Sequence, residues 1–372
     1  MDILEDDIVG QIKPKEILFN IFDSGRVPQA LIFNGPSGTG RHKMALNFLK
    51  LINAESSNNN KFLFNQIDNY NEPYVKFIFP LPSASDDQSK NNPFENLKEN
   101  QVEEIQRQIK LKSENHYHQI FIENANSIKI NSVRDISKFI SLKFNDVKYR
   151  GIIISEAHLL TVEAQNALLK NLEEPPEGIL FILITNDLNK LLPTIRSRCQ
   201  LVNLNPLTDE QVRGILIEKF NFEAEQAELL SILAEGSTAQ ALEFSKYDIN
   251  FLFDSVITIL RYSLGRRYLT ALKTLSKAVS SSDTKIILIL ITLILKWLYD
   301  AERFKILKSV KYFSNYLNTI EKFNTGYNNV NLFTHILKLN SLINYMEKNV
   351  NLNTILLNIV FELADITIEK RG

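Results

Sequence analysis

Leu31-Ile32-Phe33-Asn34-Gly35-Pro36-Ser37-Gly38-Thr39-Gly40-Arg41-His42 is the stretch that decides the fold. Three apolar residues read as a buried strand, and the residues after Gly40 open a helical pattern. Between them the glycines have the spacing of G-x-x-x-x-G-K-[ST], in which converging backbone N–H groups and a helix N-terminus cradle phosphates. Two chemically necessary positions differ. Arg41 stands where a lysine would reach the terminal phosphates, and its planar fork is bulkier than a compact ammonium. His42 stands where a hydroxyl would ligate magnesium, an ion that prefers hard oxygen ligands. Lys43 is a poor substitute for the missing lysine, because on a helix it points about 200° around the axis from Arg41. A chance glycine turn is the bland reading; the six-residue spacing and correct flanks argue against it.

Outward from this loop, Ile120-Phe121-Ile122, Gly151 to Ile154 and Ile179 to Thr185 also read as buried strands, and periodic helical segments follow most of them. That alternation predicts an α/β fold, a parallel sheet with helices on both faces. Two polar stretches interrupt it, Asn53 to Pro73 and Ser83 to Pro93, read as surface insertions flanking an extended apolar piece, Val75 to Leu81. After Pro206 the strand signal ends. Thr208 and Gln211 have the spacing of a capping box, and a small helical unit runs to about Phe244. From Asp248 the pattern is helical to the end. We expect three parts: a phosphate-loop α/β domain over 1–206, a helical lid over 207–246 and an all-α domain over 247–372.

Composition bounds the function. A chain of 372 residues is long for one domain. With 42 basic and 43 acidic residues, a net charge of -1 argues against a dedicated nucleic-acid binder. One cysteine, Cys199, excludes an intramolecular disulfide and a thiolate zinc site. The N-terminal residues lack the pattern of a signal peptide. The most apolar run, Ile286 to Leu295, is short of the roughly 20 residues that span a bilayer and reads as a buried helix. These features predict a soluble, cytoplasmic protein with no membrane partner.

A second acidic motif follows the same trend as the loop. Ile152-Ile153-Ile154-Ser155-Glu156-Ala157-His158 has the shape of a strand ending in a magnesium-positioning carboxylate and a water-activating glutamate. Ser155 holds the first place and only Glu156 remains. Alone, such a glutamate is usually a solvated residue. Beside the altered loop, it means that magnesium has lost two protein contacts, and chemistry that depends on the metal should fail.

Further motifs carry a resemblance. Asn166-Ala167-Leu168-Leu169-Lys170-Asn171-Leu172-Glu173-Glu174-Pro175-Pro176 is similar to the segment after the acidic motif in bacterial DNA polymerase III clamp loaders, members of the AAA+ class. Thr185-Asn186-Asp187 stands where that family places a polar sensor of nucleotide. Leu192-Pro193-Thr194-Ile195-Arg196-Ser197-Arg198-Cys199 resembles its Ser-Arg-Cys motif, and Val9-Gly10-Gln11 its short box before the phosphate loop. The resemblance covers about residues 6 to 245, and the helical tail is compatible with the family's collar domain. Most of the helix from Thr161 to Leu172 is core packing, with Ala164, Leu168, Leu169 and Leu172 on one face; Lys170 reads as a solvated charge.

Within that family the departures favour the delta-prime branch over the ATP-hydrolysing gamma/tau branch. Gly236-Ser237-Thr238-Ala239-Gln240-Ala241-Leu242 matches the lid motif, except that Gln240 replaces the basic sensor. The retained Ser197-Arg198-Cys199 implies that Arg198 serves as an arginine finger in a neighbour's ATP site, an effect on the order of 10³–10⁵ in rate where measured in GTPases. Its bland counterpart is a surface ion pair worth about 0–1 kcal/mol. Arg196 is assigned a supporting or surface role. The resemblance further implies partners: gamma/tau-like ATPase and delta subunits and, through them, the sliding clamp and primed DNA. Many relatives carry a four-cysteine zinc module after the first helix; the Asn-rich stretch at Asn53 to Pro73 replaces it, so no zinc is expected. No cofactor is required, although Arg41 and the glycines would allow weak ATP or ADP binding. The competing readings are an active ATPase and a static nucleotide-binding scaffold. His42, Ser155 and Gln240 together argue against turnover.

Overall fold

Short apolar strands separated by amphipathic helices assemble here into one parallel sheet. The computed structural model describes residues 2–54, 60–82, 93–95, 97–142, 144, 146–174, 176–279, 284–346 and 351–369. Strands β1 (Ala30–Asn34), β2 (Val75–Ile78), β3 (Arg150–Ile154), β4 (Ile179–Thr185) and β5 (Gln200–Asn203) lie in the order β2-β3-β4-β1-β5. All four pairings are parallel, with Phe33 of β1 opposite Ile184 of β4 on one side and Val202 of β5 on the other. Helices α1 (Asp2–Glu5) and α2 (Ile12–Asp23) precede β1, and α3 (Arg41–Asn53) and α4 (Asn60–Asp68) follow it. Next come α5 (Glu99–Glu114) and α6 (Ile130–Ser141) before β3, α7 (Val162–Glu173) before β4, and α8 (Pro193–Arg196) before β5.

The two-residue period of a strand sends successive side chains to opposite faces. Leu31, Phe33, Ile153, Ile182 and Ile184 meet Met44 and Phe48 of α3 on one face. On the other, Ile32, Ile152, Ile154, Phe181 and Leu183 meet Phe139 of α6 and Leu168 of α7. All seven residues of β4 are buried, as expected of a central parallel strand covered twice. The core face predicted for α7 is observed: Ala164, Leu168 and Leu172 are buried, and Leu169 is partly so. The phosphate loop therefore leaves a central strand, β1, and enters α3 between well-packed layers.

Two sequence readings need correction. Ile120-Phe121-Ile122 is not a strand. Phe121 is 53% exposed, and Ile122 packs with Phe79 and Ile105 in a small separate cluster. The Phe121 N–H donates to Gln108 Oε1 at 3.2 Å, so a side chain takes the bond that a neighbouring strand would have taken. The apolar piece at Val75 supplies the sheet edge instead. Asn53 to Pro73 is not simply a surface insertion: α4 buries Leu63 and Ile67. Asn53 is itself buried, accepting from Tyr149 N and donating to Tyr149 O, at 2.8 and 2.9 Å. Its polar composition concealed a helix with apolar residues four apart, one turn of a narrow core-facing stripe. The second expected insertion, Ser83 to Pro93, lies outside the described residues except for Pro93, as does Pro175 of the segment after the acidic motif.

After β5 the chain is helical. Thr208 Oγ1 accepts from Gln211 N and Gln211 Oε1 accepts from Thr208 N, the reciprocal cap foreseen from their spacing. This cap opens α9 (Asp209–Phe220), which α10 (Ala224–Ala234) and α11 (Thr238–Phe244) follow. The chain divides into two compact units, residues 1–241 and 242–372. In the second unit, α12 (Ile249–Leu264), α13 (Tyr268–Ala278), α14 (Thr284–Leu307), α15 (Leu317–Tyr327), α16 (Leu332–Met346) and α17 (Leu352–Glu369) form a helical assembly. Its axis is α14, whose Ile287, Leu290, Ile291, Leu293, Ile294, Trp297 and Leu298 are buried. No helix among the described residues is long and apolar enough to cross a membrane.

Candidate functional site

The phosphate loop is built by its own backbone and by the box that precedes it. The Gly35 N–H donates to Thr185 O at 3.1 Å, continuing the β1–β4 ladder into the loop. Thr39 Oγ1 donates to Pro36 O at 2.9 Å. Gln11 donates to Asn205 O at 2.7 Å and accepts from Asn205 N at 3.1 Å, with Thr39 O a further 3.4 Å acceptor. That one side chain fastens the loop to the residues after β5. Gly38 and Gly40 both adopt left-handed backbone, at φ 76° and 92°. At Gly38 a side chain would also strike α11: an added Cβ would lie 2.5 Å from Ala239 N. The start of α11 is thus seated on the loop, where Gly38 O accepts from Thr238 N at 3.3 Å.

The altered positions of the two motifs have found each other. Arg41 is buried, 3% exposed, and its Nη2 lies 3.5 Å from Glu156 Oε1. Burial pulls its protonation range down, and the Glu156 carboxylate opposes that pull. The neighbouring His42 Nε2 hydrogen-bonds Ser155 Oγ at 2.8 Å. Burial holds the imidazole well below its usual range, and the positive charges of Lys112, Arg41 and His116 push the same way. His42 is neutral at physiological pH for that reason, and the Ser155 hydroxyl satisfies its ring nitrogen. Glu156 sits in left-handed backbone (φ 51°) just beyond β3. From there its Oε2 reaches His158 Nδ1 at 3.7 Å. His158 in turn lies 3.4 Å from Thr185 Oγ1. A polar line therefore runs from Arg41 through Glu156 and His158 to the sensor position. Thr185 is fully buried at its end, and Asn186 is exposed.

These residues do not fit a nucleotide-bound magnesium ion. The ion prefers hard oxygen ligands, often carboxylates; here an imidazole stands at one place and a neutral hydroxyl, bonded to it, at the other. Among the described residues no group of three or more His, Cys, Asp or Glu side chains could hold a metal ion.

The remaining predicted residues lie elsewhere in the bonding pattern. Arg198 Nη2 pairs with Glu173 Oε1 at 2.7 Å at the end of α7, and its Nη1 donates to Thr194 O at 2.9 Å. Its side chain is 35% exposed. Ser197 Oγ donates to Thr194 O at 3.1 Å, closing the turn of α8. Arg196 is exposed. Cys199 is a free thiol, pushed up to about 12 by burial, and it packs against the α6–α7 face of the sheet. Gln240 is partly buried on α11, its N–H donating to Ser237 Oγ at 3.1 Å. Lys43 points away from the loop as expected, to Asp6 and Asp68 at 3.1 and 3.6 Å.

Sequence reasoning missed the segment after α5. Gln119 Nε2 donates to Ser37 Oγ of the phosphate loop at 2.9 Å. Lys112 is buried and donates to His116 O and His118 O at 2.8 and 2.7 Å. Burial lowers its range to about 7. A usable signal was present: two of the chain's five histidines fall within three residues, around a tyrosine, directly after an amphipathic helix.

A family model described as DNA polymerase III, delta subunit, matches residues 10–208, more than half of the chain. Among curated proteins, the DNA polymerase III subunit tau of Bacillus subtilis is 27% identical over 254 residues, 67% of this chain and 38% of that protein. The DNA polymerase III subunit gamma of Buchnera aphidicola subsp. Schizaphis graminum is 29% identical over 245 residues, 64% of this chain and 57% of that protein. The chain thus spans less than two thirds of the length of either relative. A solved DNA polymerase III gamma subunit-related protein from Thermotoga maritima aligns with a TM-score of 0.43 at 18% identity, over 94% of this chain and 99% of that one.

Proposed function

This chain belongs to the DNA polymerase III delta-subunit family, and from that premise we propose that it is a non-hydrolysing, delta-prime-type subunit of the clamp loader. In this reading it assembles in the cytoplasm with gamma/tau-like ATPase subunits and a delta subunit. It acts through them on the sliding clamp and primed DNA. One observation carries the reading. The two side chains at the magnesium positions bond each other, His42 to Ser155, and Arg41 is buried 3.5 Å from Glu156 with its Nη1 unbonded, whereas the partly exposed Arg198 is held at the surface by Glu173 and the Thr194 carbonyl.

The energetics make Arg198 transferable. An exposed pair such as Arg198–Glu173 is worth about 0–1 kcal/mol. A phosphate group in a neighbour's site offers the guanidinium a bidentate, charge-assisted partner that is stronger. Glu173 therefore parks the arginine without trapping it. Supplied in trans, the guanidinium stabilises charge developing on the transferred phosphoryl group, and its own chain needs no nucleotide for that. Gln240, lacking a cation at the lid position, leaves this chain's own site without a second charge on the phosphates.

The experiment is an Arg198→Ala substitution in the reconstituted loader. Assembly should persist by gel filtration, and DNA-stimulated ATPase should fall at least tenfold and by up to the order of 10³–10⁵ that trans-acting arginines contribute in GTPases. Unchanged ATPase in an intact complex would remove the finger role. ATP hydrolysis by the isolated chain would remove the non-hydrolysing one.

A further inference from the structure

Residues 112–119 have no part in the function proposed above, yet they touch three elements that surround the phosphate loop. Gln119 bonds Ser37 in the loop itself, at 2.9 Å. His116 Nδ1 lies 3.1 Å from Asp7 in the N-terminal segment. The Tyr117 ring, 3% exposed, lies 6.4 Å from the Phe220 ring at the end of α9, and Lys219 Nζ stands 5.8 Å over the same ring. Lys219 also pairs with Asp7, so the N-terminal segment and α9 meet around this tyrosine.

The segment is held in this shape from inside. Lys112 draws in the carbonyl oxygens of His116 and His118, turning the chain back over the end of α5. Tyr117 N accepts no freedom either: it donates to Asn115 Oδ1 at 2.9 Å, while His118 N donates to Asn115 O at 2.8 Å. Burying a lysine is costly, and here two carbonyl oxygens offset that cost.

We propose that residues 112–119 act as an in-chain ligand of the altered phosphate-loop site. They sit among the loop, the N-terminal segment and α9, and they hold these elements in one arrangement without nucleotide. This inference deepens the non-hydrolysing reading and rests on it. A subunit whose task is to present an arginine at a fixed place gains from a site whose shape does not follow a nucleotide cycle. Tyr117 supplies the aromatic surface between the N-terminal segment and α9, Gln119 the bond to the loop, and Lys112 the buried amine whose bonds to two carbonyl oxygens shape the turn.

Amide hydrogen exchange on the full-length chain tests this directly. The amides of Tyr117, His118 and Phe121 should exchange slowly, and millimolar ADP or inorganic phosphate should leave them unchanged. Coil-like exchange at these amides, or their release by ADP, would overturn the proposal, because the segment would then be an ordinary loop that nucleotide displaces. In a Tyr117→Ala protein, exchange at Ile8 and at Phe222 should rise together by about tenfold or more while β1 and β4 stay protected. No change at those two distant amides in the folded variant would equally sink it. Should that variant fail to fold, the wild-type measurement decides alone. The arginine-finger reading is scored separately, by ATPase of the Arg198→Ala complex, and survives a negative result here.

Discussion

Replacing Gly38 by alanine tests whether α11 is seated on the phosphate loop. The position carries two independent penalties. Its φ of 76° is left-handed, which costs a residue with a Cβ about 1–2 kcal/mol. The added Cβ would also lie 2.5 Å from Ala239 N, 2.7 Å from Ser237 Oγ and 2.9 Å from Ala239 Cβ. Ser237 Oγ could rotate; the backbone nitrogen cannot, so the first turn of α11 must retreat. Overpacking of this kind costs about 1–3 kcal/mol. The Thr238 N to Gly38 O bond, 3.3 Å long, would be lost as well, at about 0.5–1.5 kcal/mol. Together these predict a destabilisation of about 2.5–6.5 kcal/mol. Gly40→Ala is the control. Its φ is 92°, but its Cβ would meet only Ile8 Cγ2 at an ordinary 3.7 Å, leaving the backbone penalty of about 1–2 kcal/mol. Urea unfolding of both variants, read by hydrogen exchange on peptides from β1 and β4, gives the comparison. Equal losses at the two glycines would refute the seating of α11.

Three further outcomes are expected. His42, His116 and His158 are all held below the ordinary histidine range, chiefly by burial, His116 at about 3. Because the unfolded chain binds these protons more readily, their stabilising contribution is complete above about pH 6.5 and is lost as pH falls below it. Thermal midpoints should drop between pH 7.5 and 5, with a shallower slope in His116→Gln; parallel slopes would contradict the assignment. The partly buried Cys199, pushed up to about 12 by burial, should react with a maleimide at least ~10-fold more slowly than an unfolded thiol, and labelling of the native chain at the unfolded rate would contradict that. In the helical unit, fully buried Asp300 accepts from Lys311 N, Tyr312 N and Phe313 N at 2.7–2.8 Å. Asp300→Asn turns an amide donor toward at least one of these N–H groups and should cost about 2–4 kcal/mol in a denaturant melt followed by Trp297 fluorescence; a neutral result would mean the turn is held by other bonds.

What the sequence made legible follows from how local each signal is. The phosphate loop, the Thr208–Gln211 cap and the continuous apolar run of β4 are written in adjacent residues, and each takes the form that its spacing implied. The identities at Arg41, His42, Ser155 and Glu156 were readable as departures from a pattern. Their pairing was not, because residues 113 positions apart meet only once β1 and β3 share a sheet. Ile120-Phe121-Ile122 misled because three apolar residues in a row suit a buried strand and a small satellite cluster equally well; Gln108 decided between them. The role of Lys112 was hidden for a related reason. A lysine near the end of an amphipathic helix reads as solvated, and only the turn that follows shows that its ammonium faces inward.

The His42–Ser155 bond couples two positions that would otherwise change independently. A threonine at 42 would remove the imidazole that bonds the buried Ser155 hydroxyl. An aspartate at 155 could still accept from the His42 Nε2–H, but it would bury a charge. The first change orphans a hydroxyl, at about 1–3 kcal/mol, and the second carries the cost of a buried charge, against the roughly 5–15 kcal/mol that holds a domain together. The cost of changing either residue therefore differs according to whether its partner has changed as well. The two positions act as one unit, so the effect of a substitution at either is set by the residue at the other.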